Sequence, residues 1–431
     1  MHLFLFTLKP EYVIMIGASA VIILSFVFNY ISQKTNIPSV LLLMALGIGL
    51  QYAFPALKTN ELLSKSLVVI GKVGLLLIVL EAALDLKLKR DKLVLIGKAF
   101  LMALAGLLGS AFATAYLLQY FFETDFYRAF VYAVPLSILS SAIIIPSVAR
   151  LQAEKKEFMI YESTFSDILG IILFQFLVSP NSYGSAGHVF LSVTTNILTT
   201  AAVAIVFGYV AIWGIQRLTS HVRLFLIIAV LMLVYAVGSI FHLSALIIVL
   251  FFGLILNNAA LFFRGPLRRL YRPARIKEMF DEFYIITLES AFVLRTFFFV
   301  IFGLSISLVS LADYHLALRS LAIIAVLYAV RFLFLKALFL RQSILPELFI
   351  APRGLITILL FFTIPDEFRL AHFDDGILLY TILLSSLIMT LALVTGKGKA
   401  IADIIHEYDD LNKHIERSLE DGHLDVINNE E

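Results

Sequence analysis

Residues 159–176 read MIYESTFSDILGIILFQF. The stretch is apolar enough for a bilayer-crossing helix, yet its first half carries Glu162 and Asp167. An ionisable group at bilayer depth costs ~2.5–3.5 kcal/mol on insertion scales, so each needs a reason to be there. At ~100° per residue, the interval between them sets the two carboxylates about 140° apart around the helix. They cannot both face one cavity. Glu162 shares a face with Ser166, and Asp167 shares one with Ser163. Two faces imply two jobs. One carboxylate needs a fixed basic partner inside the protein, because a lone buried charge is neutralised or very costly. The other faces water and a mobile cation. The natural basic partner for one of them is Arg331, well inside the apolar run IIAVLYAVRFLFL, residues 323–335.

The rest of the chain is of the same kind. Of 431 residues, 61% are hydrophobic and 15% charged, against roughly 45–50% and ~25% in soluble domains. With a mean hydropathy of +0.96, this is an integral membrane protein with many spans. The start, MHLFLFTLKPEY, has neither the basic region nor the cleavage site of a signal peptide, so insertion is expected to begin with the first span. Cysteine is absent, which excludes disulfides and thiolate metal sites. From Gly396 on there are ten acidic and four basic residues; with a total of +2, the remainder carries about +8. That suits basic cytoplasmic loops and a transmembrane domain over 1–396 followed by an acidic tail over 397–431, not a nucleic-acid binder.

A span needs ~20 mostly apolar residues. Thirteen segments qualify, near 11–31, 37–56, 65–85, 93–119, 127–150, 157–179, 186–215, 222–241, 243–262, 281–311, 316–340, 346–365 and 376–396; the eighth and ninth are parted only by FHLS. The ~10-residue alternation of a β-barrel is absent. With the C-terminus cytoplasmic, the loops on that side hold 19 basic residues and those opposite hold five. The positive-inside rule thus puts the N-terminus outside. The expected fold is an all-α polytopic membrane protein.

Other charges in the spans read as structural: Glu81 and Lys336 near span ends reaching the interface, Lys72 and Lys98 snorkelling or pairing, and Glu289 and Arg295 bonding at a helix interface. Two spans look broken. The fifth, AVPLSILSSAIIIPSV (133–148), holds Pro135, Ser140, Ser141 and Pro146; the twelfth, IAPRGLITILLFFTIP (350–365), holds Pro352, Arg353, Gly354 and Thr357. Proline removes a backbone donor and clashes with the preceding turn. Interrupted spans in matching positions of two halves point to a transporter's midplane site. Spans five and twelve are seven apart, which fits two inverted six-span repeats, one to six and eight to thirteen, joined by span seven.

These residues resemble the monovalent cation/proton antiporter superfamily, and within it the electroneutral sodium/proton exchanger branch. That family carries Glu-Ser-x-x-Asn-Asp on its sixth span; here the run is Glu162-Ser163-Thr164-Phe165-Ser166-Asp167. The resemblance makes Asp167 the cation and proton ligand and Glu162–Arg331 a buried ion pair. APRGLIT (351–357) resembles the family's Arg-Gly element, giving Arg353 and Gly354, while IPSVLLLMALGIGLQ (37–51) and FFGLILNN (251–258) resemble two further segments. Two departures stand out. Ser166 replaces the Asn before the Asp. Aligned on Pro146, Leu139-Ser140-Ser141 stands where the family has Thr-Asp-Pro, removing a carboxylate expected near the site. Carbonyls at the break and the Ser140 or Ser141 hydroxyls remain as cation ligands, with Ser163 and Ser166 beside them.

The expected activity is exchange of a monovalent cation, Na⁺ before K⁺ or Li⁺, for H⁺. A hard cation takes oxygen ligands, and burial penalises a bare carboxylate, so proton and cation compete for Asp167. If only the loaded carboxylate crosses, exchange follows with no cofactor. The family implies a moving core near 93–179 and 316–396, a scaffold near 11–85 and 222–311, and a homodimer, in a prokaryotic inner membrane. The alternatives are an organic-anion carrier on a related inverted-repeat fold, using Arg353 and helix N-termini, and a cation channel, for which no filter repeat is visible. A membrane enzyme is disfavoured: none of the nine His lies in a span with an acidic or His partner at ligand spacing.

Overall fold

A computed structural model describes residues 10–35, 37–54, 61–88, 90–148, 151–178, 186–216, 223–240, 245–263, 273–305, 313–340, 342–370 and 373–395. The linker FHLS and the acidic tail therefore lie outside the described residues. Among these residues the secondary structure is helical throughout. In chain order the helices are α1 Pro10–Thr35, α2 Ser39–Ala53, α3 Glu61–Asp85, α4 Leu93–Phe122, α5 Phe126–Ser137, α6 Ser141–Ser147, α7 Ala153–Leu177, α8 Ala186–Ile215, α9 Arg223–Ile240, α10 Ala245–Asn257, α11 Pro273–Ser305, α12 Tyr314–Leu338 and α13 Leu355–Phe362. The last, α14, is Gly376–Thr395. Each expected span contains a helix, and the fifth and twelfth are interrupted, between α5 and α6 and before α13.

Packing falls into two groups. α4 lies against α5, α7 and α12, and α5 and α7 enclose the short helices α6 and α13; elsewhere α11 packs on α2 and α3, and α10 on α3, α8 and α9. The groups meet where α3 touches α7 and α13. Helices in a bilayer gain little from hiding apolar surface from lipid, so small residues that admit close backbone contact matter most. Gly47 and Gly303 do this for α2 and α11. A Cβ on Gly47 would overlap the Val300 carbonyl and sit 2.9 Å from Gly303 Cα; one on Gly303 would overlap the Met44 carbonyl. Gln51 then donates from Nε2 to the Leu304 carbonyl at 3.0 Å. The segment 251–258 closes the other side. Asn257 and Asn258 donate to the Leu84 and Leu86 carbonyls at 2.5 and 2.8 Å, and Asn258 Oδ1 accepts from Leu88 N–H at 2.7 Å. Freed backbone groups at the end of α3 are thereby satisfied, as a membrane interior requires.

This crossing makes a clear expectation. Gly47→Leu forces two backbones apart and costs about 1–3 kcal/mol or more, whereas Gly49, with open space around it, tolerates Ala. Thermal unfolding of the two variants in detergent checks this: a large loss for Gly47→Leu and almost none for Gly49→Ala are expected, and equal losses would refute the crossing.

Candidate functional site

α7 is the spine of the site. Glu162, Ser163, Thr164, Ser166 and Asp167 are all buried, the two carboxylates at 1% exposure. Their separation around the helix sends them to different partners.

On one face, Glu162 meets Arg331 of α12. Arg331 Nη1 donates to Oε1 at 2.6 Å and Nη2 to Oε2 at 3.0 Å, a bidentate, charge-assisted geometry. Its Nε donates to the carbonyls of Glu347 and Leu348, both at 3.2 Å, and Nη2 reaches the Glu347 carbonyl at 2.9 Å. The pair therefore also fixes the chain that leads into the second break. Nearby, Lys155 Nζ donates to the Glu347 carboxylate at 2.8 Å and to the Leu345 carbonyl at 2.6 Å. A cavity of about 20 Å³ lies beside the pair, lined in part by Ser110, Ser137, Ser166 and Arg353. One water fits it. Asp167 does not line it.

On the other face, Asp167 meets the first break. Its Oδ2 accepts from the Ser141 backbone N–H at 3.2 Å, and the Ser141 hydroxyl also interacts with the carboxylate. Asp167 Oδ1 is buried and has no hydrogen-bond partner among the described residues. Ser166 holds the linker instead, accepting from Leu139 N–H at 3.0 Å. Ser163 bonds back to the Ile160 carbonyl at 3.2 Å. Gly170 lets the linker close on α7, since a Cβ there would overlap Ile138.

The two breaks cross. Ser140 N–H donates to the Pro352 carbonyl at 3.0 Å. A Cβ on Gly354 would overlap Ser140 Oγ, so glycine is required by close approach. Arg353 Nε donates to the Leu136 carbonyl at 3.0 Å and Nη1 to the Ala351 carbonyl at 2.5 Å, while Ser385 Oγ accepts from Arg353 N–H at 3.0 Å. Pro146 sits inside α6, not in the linker. Backbone groups orphaned by interruption are thus paired with one another or with Arg353, as buried groups must be.

Of the other charges in the spans, Glu81 lies differently from the reading of the sequence. Glu81 does not reach outward; its Oε2 accepts from Arg295 Nη2 at 2.6 Å. Arg295 thus has its partner on α3, and Glu289 on its own helix is exposed. Lys72 and Lys336 are exposed, and Lys98 lies over the Phe339 ring, 5.6 Å from its centre. Sequence reasoning missed Thr164, a buried hydroxyl without a hydrogen-bond partner among the described residues, three residues before Asp167. It also missed the Glu81–Arg295 pair, whose one signal was the spacing of Glu81 and Asp85 on one face of α3. Among the described residues no three His, Cys, Asp or Glu side chains group as ligands for a tightly held metal.

Crossed interrupted helices with a buried carboxylate at their junction define a secondary ion transporter. The chain belongs to the sodium/hydrogen exchanger family: the family's transmembrane model matches residues 20–397. It is thus a transmembrane monovalent cation/proton exchanger. Its fold is similar to that of the sodium proton antiporter MjNhaP1 from Methanocaldococcus jannaschii. The structure of that protein at pH 8 matches with a TM-score of 0.64 at 19% identity, covering 89% of this chain and 96% of that one. A second MjNhaP1 structure, from an electron-microscopy map, gives 0.61 at 17% identity, covering 92% and 97%. A search of curated proteins returns no significant match.

Proposed function

We propose that Asp167 is the residue on which cation and proton alternate, one for one, and that Na⁺ is the preferred cation. The observation that carries this is the state of its carboxylate: buried, Oδ2 held by Ser141 and Oδ1 without a partner among the described residues. A buried lone pair of that kind calls for a proton or an ion. Ser163, Ser166, Ser140, Ser141 and the carbonyls at the crossing are the further oxygen ligands in reach of the junction. Glu162 is neutralised by Arg331, so the site has the same charge with either cargo. The α4–α7 and α12–α14 group moves as a core against a scaffold of α1–α3 and α9–α11. The exposed apolar side chains of α1, among them Met15, Ile23 and Phe26, face lipid or a second copy in a homodimer. The N-terminus lies outside and the C-terminus in the cytoplasm of a prokaryotic inner membrane. The organic-anion reading is weaker because Arg353 already donates to two carbonyls.

Charge balance gives the test. Membrane potential is worth ~2.3 kcal/mol per charge per 100 mV, and a one-for-one exchange moves none. In proteoliposomes clamped at several potentials, the Na⁺ gradient that nulls proton flux is expected to stay fixed, with smaller or no flux for K⁺ and Li⁺. A null point that moves with voltage would refute electroneutrality; no flux with any of the three ions would refute the exchange reading of this site.

A further inference from the structure

One buried hydroxyl close to Asp167 has no bonding role in the fold. Thr164 precedes Asp167 by three residues on α7 and is fully enclosed, at 0% exposure. Its Oγ1 has no hydrogen-bond partner among the described residues, and neither has Asp167 Oδ1. A threonine inside a helix commonly turns its hydroxyl back to a carbonyl one turn earlier. Thr296, Thr381 and Thr390 do so, donating to the carbonyls of Phe292, Ile377 and Ser386 at 2.9, 2.7 and 2.8 Å. Thr164 makes no such bond.

Helix geometry brings the two orphaned atoms to the same place. Residues three positions apart lie about 60° apart around the axis, with Cβ atoms about 5–6 Å apart. Helical side chains lean toward the N-terminus, so the Asp167 carboxylate leans back over the turn that holds Ser163 and Thr164. Hard cations bind oxygen at about 2.3–2.6 Å, as calcium does, so one ion bridges two oxygens up to about 5 Å apart.

The other polar groups nearby are already engaged. Ser163 Oγ donates to the Ile160 carbonyl at 3.2 Å. Ser166 Oγ accepts from Leu139 N–H at 3.0 Å and lines the cavity on the Glu162 side. Arg353, the buried cation at the crossing, donates to the Leu136 and Ala351 carbonyls and lines that same cavity, which neither Thr164 nor Asp167 does. Thr164 is thus the α7 hydroxyl left with no partner among the described residues, one turn from a carboxylate oxygen in the same condition.

We propose that Thr164 Oγ1 is a ligand of the transported cation, bridged to Asp167 Oδ1 by the bound ion. A buried hydroxyl without a partner is unfavourable, and the cation relieves this while it is bound. The inference rests on the reading of Asp167 as the exchange residue and adds to it a neutral oxygen one turn earlier on the same helix.

Variants that delete or keep the hydroxyl separate a ligand from a structural residue. For Thr164→Val in proteoliposomes, the Na⁺ KM is expected to rise about tenfold with kcat within about twofold, since a contact to the bound ion is gone. In detergent without Na⁺, the thermal midpoint is expected to hold or rise, because an orphaned hydroxyl is removed and no bond is broken. Na⁺ raises that midpoint by mass action, and the concentration giving half the rise is expected to increase by the same factor. Thr164→Ser keeps the hydroxyl and the parent KM. Thr287→Val removes another buried, orphaned hydroxyl, on α11, and leaves the Na⁺ KM unchanged. Should Thr164→Val not be recovered folded, the KM difference between Thr164→Ala and Thr164→Ser decides the matter. An unaltered KM in Thr164→Val, a lowered midpoint without Na⁺, a Ser variant that behaves as the Val variant, or the same rise in Thr287→Val would overturn the ligand role. An active Asp167→Asn would instead overturn the reading beneath it.

Discussion

Proton flux driven by a cation gradient falls to the protein-free background in Asp167→Asn, while the protein keeps its fold. Asparagine has the same shape and can still accept from the Ser141 N–H that lies 3.2 Å from the carboxylate. What it loses is the capacity to take up and release a proton, and the negative charge that holds a cation. Removing a buried charge relieves a desolvation cost, so the thermal midpoint is expected to be unchanged or higher. Proteoliposome flux with a pH-sensitive dye, paired with thermal unfolding in detergent, reads both properties. Retained flux in the folded variant would remove Asp167 from the exchange step.

Glu162 and Arg331 are expected to fail together. Their bidentate contact is buried, with side chains 1% and 6% exposed. Glu162→Gln leaves a guanidinium with only neutral acceptors, and Arg331→Gln leaves a bare carboxylate. Breaking one side of such a pair costs about 3–5 kcal/mol, much of it the stranded charge. The Arg331 variant also frees the carbonyls of Glu347 and Leu348, so its loss is the larger. In the double variant no charge is stranded, and the total is expected to fall short of the sum by about 1–3 kcal/mol. A four-point cycle of unfolding free energies measures this. Additive losses would show that the contact carries no coupling.

Much of this was readable from the chain because a bilayer restricts what a sequence can do. Every apolar run had to become a helix, and Pro352 and Gly354 mark the break before α13, whereas Pro135 and Pro146 lie inside α5 and α6. That Glu162 and Asp167 face apart followed from helical geometry, and Arg331 stood out as a basic residue deep in an apolar run; which carboxylate pairs with it came from the resemblance. Distances across the fold were less legible. Nothing in the order of residues says that Ser140 N–H meets the Pro352 carbonyl, since that depends on how two breaks are brought together. Glu81 looked like an interface residue because its position near a span end was visible and its partner, more than two hundred residues away, was not. Arg295 was read with Glu289 because neighbours on a helix are easy to see; the side-chain direction that sends them apart is not.

The Ser141 N–H that reaches Asp167 has a consequence for how this chain differs from its relatives. In the family pattern that the sequence resembles, aligned on Pro146, Thr-Asp-Pro would put proline at the position of Ser141, and proline has no N–H to give. Here serine supplies one, so one Asp167 oxygen accepts a hydrogen bond while the other has no partner among the described residues. The loss of an acidic neighbour at position 140 and the gain of this donor are then two halves of a single trade. On the proposed reading of Asp167, a visiting ion finds a carboxylate with one oxygen already engaged, and the rest of its shell has to come from neutral oxygens that do not repel it.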